Sequence, residues 1–233
     1  MSALRALVFQ HEQPTPGGYV NQWLEHRGAD QHVFRIDIDH SEVDPREYDL
    51  IVSLGSEFAA FDDLPWIKRE EVLLREAFEA DIPILGVCFG GQLLAKTLGG
   101  DAFRSDQSEI GWLPVRTRDD SLVPEGPWFQ WHFDSFTLPD GANLIADSEV
   151  GPQAFTVGRS LGTQFHPEVT PEIMESWVRA YPHELEQEGV DPQGLLDETR
   201  ERAEQTKATA WRFFDAFLDR VARLGKREAV RGS

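Results

Sequence analysis

Three places in this chain carry residue types and spacings suited to covalent catalysis on a carbonyl. The only cysteine, Cys88, is framed by two glycines in Gly86-Val87-Cys88-Phe89-Gly90-Gly91-Gln92. Two short segments join a histidine to an acid: His132-Phe133-Asp134 and His166-Pro167-Glu168. A thiol nucleophile needs an imidazole within hydrogen-bond reach and a third group to orient the ring, and either pair offers both.

The surroundings of Cys88 favour a reactive thiol. Pro83 to Val87 is an apolar run of buried-strand length, and Phe89 to Leu98 reads as a helix closed by Gly99-Gly100. The cysteine therefore falls at a strand-to-helix turn, where the first helical amides and the helix dipole favour negative charge. A G-x-C-x-G frame after a strand is the nucleophile-elbow pattern with sulfur in place of oxygen. The bland alternative is a buried core cysteine, and the two-glycine frame weighs against it. The free amide of Phe89 is the expected oxyanion donor. The loop Leu54-Gly55-Ser56-Glu57 is placed to offer a second donor at Gly55, a plain tight turn being the alternative.

Of the seven histidines, His26, His32, His40 and His183 lie in polar or helical surroundings and read as surface residues. Between the two histidine–acid pairs, local context favours the second. Pro167 removes a ladder amide and fixes φ, giving a rigid strand exit that holds His166 and Glu168 toward one point. His11, Glu12, His132 and His166 have no recognised metal-ligand spacing, so no metal site is expected, and thiol chemistry through a thioester calls for no organic cofactor.

The elements that must position these residues follow from periodicity. Leu4 to Phe9, His32 to Ile38, Tyr48 to Ser53 and Pro83 to Val87 read as strands alternating with helices, one of which begins at Pro65. Consecutive apolar residues at Leu50, Ile51 and Val52 indicate a strand covered on both faces, and the alternation indicates a parallel sheet with right-handed crossovers. Gln10, Ser53 and Cys88 then share the sheet edge where open α/β folds bind ligands. After Gly100 come shorter alternating pieces, Gly111 to Arg118, Trp128 to Phe133, Asn143 to Ala146, Gln153 to Val157 and Gly162 to Phe165, which read as antiparallel strands. Pro171 starts another helix. Pro192 to about Leu224 forms a long helix with the apolar stripe Ala210, Phe214, Phe217, Leu218 and Val221, packed back on the domain. Lys226 to Ser233 is expected to be disordered.

With 233 residues, 40% of them hydrophobic, the chain is expected to form a single domain: a core over about 4–180 and a helical extension over about 181–225. One cysteine excludes an internal disulfide framework. No secretory leader and no apolar run of bilayer length is read, so the default location is cytoplasmic. A formal charge of −19 argues against nucleic acid and anionic membranes as partners. Glu70, Glu71, Glu76 and Glu79 are read as part of a solvated helix face.

Gly86-Val87-Cys88-Phe89-Gly90-Gly91-Gln92 running into Leu93-Leu94-Ala95, followed later by Gln164-Phe165-His166-Pro167-Glu168, closely resembles the class I glutamine amidotransferases, particularly free-standing forms similar to the glutaminase part of GMP synthase. The resemblance covers about residues 4 to 180. It implies a flavodoxin-like, mainly parallel sheet with helices on both faces, added antiparallel strands and a long C-terminal helix. It also implies that Cys88 attacks the γ-amide carbonyl of glutamine, His166 carries protons and Glu168 orients His166, which decides between the two histidine pairs. The resemblance further implies that Gln92 lies near the substrate pocket, with Trp131, His132 and Phe133 expected at its wall and Ser56 expected among the substrate-binding residues. Ser53-Leu54-Gly55-Ser56 keeps one glycine where the family usually reads Ser-Pro-Gly-Gly.

The family usually passes its ammonia to a synthetase or ligase, and no G-x-x-x-x-G-K-[ST] phosphate loop occurs in this sequence. A separate acceptor enzyme is the expected partner. The alternatives are a stand-alone hydrolase of γ-glutamyl amides with the same triad, an inactive regulatory or binding module, and an esterase on the same elbow. A homodimer through the last helix stays open.

Overall fold

The computed structural model describes residues 3–224, so the expectation for Lys226 to Ser233 lies outside the described residues. The first half alternates strand and helix: β1 (Arg5–Gln10), α1 (Gly18–His26), β2 (Asp30–Arg35), β3 (Leu50–Ser53), α2 (Pro65–Glu79), β4 (Ile84–Val87) and α3 (Phe89–Thr97). Then follow β5 (Ala102–Leu113), β6 (Arg116–Thr117), β7 (Trp128–Phe136), β8 (Asn143–Asp147), β9 (Pro152–Val157) and β10 (Ser160–Thr163). Among the described residues three helices follow: α4 (Pro171–Ala180), α5 (Pro182–Glu188) and α6 (Pro192–Ala216), the last continuing as a π-helical turn through Val221.

Eight strands form one sheet in the order β2-β1-β3-β4-β10-β9-β8-β6. The pairs β1–β2, β1–β3, β3–β4 and β4–β10 are parallel, and β9, β8 and β6 extend the sheet antiparallel. The expected mixed α/β architecture is therefore present. The sequence did not indicate that β5 and β7 leave this sheet to form a separate antiparallel ribbon. The second strand also begins earlier than its alternation suggests.

Both faces of the sheet are covered, as the unbroken apolar runs in β3 and β4 require, since every residue of these strands is buried. One core cluster joins Val8, Val52 and Leu85 to Trp23 of α1 and to Phe213, Phe214 and Phe217 at the end of the chain. The other joins Leu7, Ile51 and Ile84 to Leu74 and Ala77 of α2 and Leu93 and Leu94 of α3. The stripe read in the last helix thus packs back on the sheet, with Ala210, Phe214, Phe217, Leu218 and Val221 all buried.

Glu70 corrects the reading of a solvated helix face, because it is wholly buried. Three residues beyond Ile67 and four before Leu74, it falls on the apolar face of α2, and that phase was visible in the sequence. Its neighbour Glu71 is half-buried against Lys96.

Candidate active site

The elbow is built from close backbone contacts. Cys88 caps α3 at φ 50° and ψ −109°, a sparsely populated conformation for a residue with a side chain. Its amide donates to Thr163 O at 2.8 Å, tying it to the exit of β10. Glycine is required on the helix side. A Cβ on Gly90 would lie 2.2 Å from Ser53 O, and one on Gly91 would lie 2.4 Å from Thr163 O. The two glycines let the start of α3 wedge between β3 and β10, which brings the sulfur between both strand exits.

Cys88 is 5% exposed, so it is both a core residue and a pocket residue. The Gln164 side-chain amide approaches its sulfur at 3.5 Å, and Trp131 O lies at 3.9 Å on another side. Gln164 was missed as a candidate. The signal was its position two residues before His166, since alternate residues of an extended segment share a face.

His166 leaves β10 through a single bridge to β7, with its amide donating to Phe129 O at 2.8 Å. Nδ1 lies 2.7 Å from Glu168 Oε1, both side chains being buried. Burial pulls the ring toward neutrality, but Glu168 and then Cys88 outweigh it and raise its pKa to about 10. Nε2 meets no hydrogen-bond partner among the described residues, and such catalytic contacts commonly tighten only with substrate bound. Trp177 of α4 packs against the ring at 4.8 Å between centroids.

Glu168 is itself held from α1. Its carbonyl accepts from the Tyr19 amide at 2.9 Å. Gly18 permits that approach, since it adopts φ +45° and a Cβ there would stand 2.1 Å from Glu168 O. Phe165 anchors the same segment from the opposite side, stacked 4.6 Å from Trp128 and packed against Phe213 beyond it.

Gly55 completes the convergence: a Cβ on it would stand 3.1 Å from His166 Cε1 and 3.9 Å from Cys88 Cβ. Among the described residues, the amides of Gly55, Ser56 and Phe89 donate to no backbone or side-chain group.

A cavity of about 270 Å³ opens onto Cys88 and His166, with Phe89 and Gly55 on its lining. Ser56, Gln92, Trp131, His132 and Phe133 line it as well. Gln92 is tied back, its amide donating to Gln164 Oε1 at 3.2 Å and to Asp134 O at 3.3 Å. His132 has both ring nitrogens engaged away from the thiol, Nδ1 with Asp134 O at 3.1 Å and Nε2 with Glu109 Oε2 at 3.0 Å. Both nitrogens of this lining residue are thus already committed to other partners.

Tyr181, Glu184 and Gln187 also line the cavity, although the sequence placed this acidic extension outside the core. Glu184 accepts from Trp131 Nε1 at 2.5 Å, which locks α5 onto the wall. Burial raises the carboxyls of Glu12 and Glu184 above their ordinary values, and Arg104 is the lining arginine. Among the described residues no group of three or more His, Cys, Asp or Glu converges as a metal site, and no helix is long and apolar enough to cross a membrane.

A cysteine on a strand-to-helix elbow and a glutamate-held histidine line one cavity at the carboxyl edge of a mainly parallel sheet, the place where open α/β folds bind ligands. The family described as glutamine amidotransferase class-I matches residues 19–179, and the chain belongs to it. A solved glutamine amidotransferase from Thermotoga maritima is 31% identical, with a TM-score of 0.84 over 95% of this chain and 99% of that one. Another, from Methylobacillus flagellatus, is 25% identical with a TM-score of 0.86, covering 100% of this chain and 99% of the other. The GMP synthase [glutamine-hydrolyzing] of Thermus thermophilus is 32% identical over 197 residues, 67% of this chain. This chain spans only 38% of that relative's length, and 36% of the GMP synthase from Azoarcus.

Proposed function

We propose that this protein hydrolyses the γ-amide of glutamine through Cys88, His166 and Glu168 and delivers the ammonia to a separate acceptor enzyme. The observation that carries the reading is the meeting of Cys88, Gly55 and the Glu168-held His166 around one cavity.

The sulfur anion attacks the γ-carbonyl carbon, and the C=O electrons move to an oxyanion received by the amides of Phe89 and the Gly55 loop. Collapse breaks the C–N bond as His166 Nε2–H protonates the departing nitrogen, leaving ammonia and a γ-glutamyl thioester. Nε2 then takes a proton from water, hydroxide adds to the thioester, and the C–S bond breaks to give glutamate and the thiolate. Glu168 keeps Nδ1–H pointed inward and favours the charged ring. The sequence requires neither metal nor organic cofactor.

Ammonia release from glutamine by the wild-type chain, lost in Cys88→Ala with the fold intact, is the expected result. Undiminished release in that variant removes Cys88 from the mechanism. A second reading, hydrolysis of a larger γ-glutamyl amide, draws on the aromatic lining formed by Phe58, Trp131 and Tyr181. Turnover of γ-glutamyl amines well above that of glutamine, with and without a candidate acceptor enzyme, favours it.

A further inference from the structure

Beneath the Gly55 loop lies a polar cluster to which the proposed mechanism assigns no part. His11, directly after β1, and Glu70, on the inner face of α2, are both wholly buried. His11 Nδ1 lies 3.0 Å from Gly55 O, and Nε2 lies 2.7 Å from Glu70 Oε2. The other carboxyl oxygen of Glu70 accepts from Ser53 Oγ at 2.6 Å. A carbonyl can only accept, so Nδ1 carries a hydrogen. An ionised Glu70 likewise requires a hydrogen on Nε2. Burial opposes that second proton, but Glu70 outweighs it and raises the ring's pKa.

The ring cannot swing away, because Phe89 packs edge-on at 4.7 Å and Trp66 lies at 5.2 Å between centroids. One imidazole thus bonds the loop that carries Gly55 and touches Phe89, the two places from which oxyanion donors come. The loop needs such an anchor, since glycine turns freely about its backbone bonds and Gly55 is the only glycine between Ser53 and Glu57. A trans peptide holds its C=O and N–H in opposite directions. Fixing Gly55 O toward His11 therefore turns the Ser56 amide the other way and keeps Gly55 beside Cys88 and His166.

We infer that His11, braced by Glu70 and Ser53, is a positioning residue that sets the Gly55 loop for oxyanion binding without touching substrate. The inference rests on Cys88 being the nucleophile of the proposed reaction. It separates two things usually lost together: nucleophile reactivity, which depends on His166, and oxyanion stabilisation, which depends on the loop.

The test compares wild type with His11→Phe, which keeps an aromatic ring but loses both hydrogen bonds, and His11→Gln, which retains one donor toward Gly55. Three readouts are taken: kcat and KM for glutamine, the rate of Cys88 alkylation by iodoacetamide, and hydrogen exchange over 54–58. Loss of a preorganised oxyanion donor typically costs about 10²- to 10³-fold in kcat. His11→Phe is expected to show a loss approaching that range, with KM and alkylation changed by less than about threefold, and His11→Gln to recover part of it. Exchange at 54–58 should quicken in His11→Phe. A folded His11→Phe with wild-type kcat and exchange overturns the inference, as does an equal fall in kcat and alkylation. If His11→Phe does not fold, His11→Gln and Glu70→Gln carry the same comparison. Absence of glutamine turnover in wild type sinks the functional reading instead, while unchanged exchange in the variants still sinks the anchoring role.

Discussion

The side-chain amide of Gln164 lies 3.5 Å from the sulfur of Cys88 while its own carbonyl oxygen accepts from Gln92. An N–H aimed at sulfur stabilises the anion, and the bond from Gln92 fixes which end of the Gln164 amide faces it. Gln164→Glu would set a carboxylate against the sulfur. Alkylation of Cys88 by iodoacetamide near neutral pH is expected to slow by about tenfold or more, because the thiolate is the reacting form. An unchanged rate would deny Gln164 this contact.

The backbone at Cys88 stores strain that can be measured without any activity. Its φ of 50° and ψ of −109° suit glycine, and such conformations cost about 1–3 kcal/mol in other residues. Cys88→Gly and Cys88→Ala both lack the thiol, so comparing them isolates the backbone. Glycine is ordinarily less stable than alanine by about 0.5–1 kcal/mol. Here the order should reverse, with Cys88→Gly melting higher, and a lower melting temperature for it would count against strain at the elbow.

Glu168→Gln should reduce kcat/KM by about 10²- to 10⁴-fold, the range associated with losing an oriented proton carrier. Its stability should depend on pH in a defined sense. The folded pKa of His166 stands at about 10 against an ordinary 6.5, so the stabilisation it contributes is complete below about pH 6.5 and fades as pH climbs through about 10. The gap in melting temperature between wild type and Glu168→Gln should be widest near pH 6 and narrow toward pH 10. Calorimetry across that range checks it, and a constant gap contradicts the charged pair.

Gly90→Ala tests the wedge. The added Cβ would meet the backbone oxygen of Ser53 at 2.2 Å, where no side-chain rotation can relieve it. Overpacking of this kind costs about 1–3 kcal/mol, and glutamine turnover should fall because α3 must shift relative to β3. A variant with wild-type melting temperature and turnover would mean that the elbow tolerates the displacement.

Much of this arrangement was legible because it is local. The apolar run before Cys88 and the glycines after it announce strand, turn and helix within a dozen residues. Gln164 and His166 share a face through strand alternation, and Pro167 marks the strand exit. The phase of α2 even contained the sign that Glu70 is buried, which the charge alone obscured. Charged residues are so seldom buried without a partner that composition outweighed periodicity in the reading.

What the sequence determined by itself was the alternation of strands and helices, the strand-to-helix setting of Cys88, and the family likeness of the two motifs. These depend on backbone periodicity and on residues close together in the chain. Only the tertiary structure decided that His11 reaches Glu70 fifty-nine positions away, that Glu109 holds His132 to the wall, and that α5 brings Glu184 to Trp131. A pattern of apolar and polar residues states which face turns inward. It does not state which distant face meets it, because that choice comes from packing the whole core at once, and the polar partners are fixed only when the surrounding side chains have closed over them.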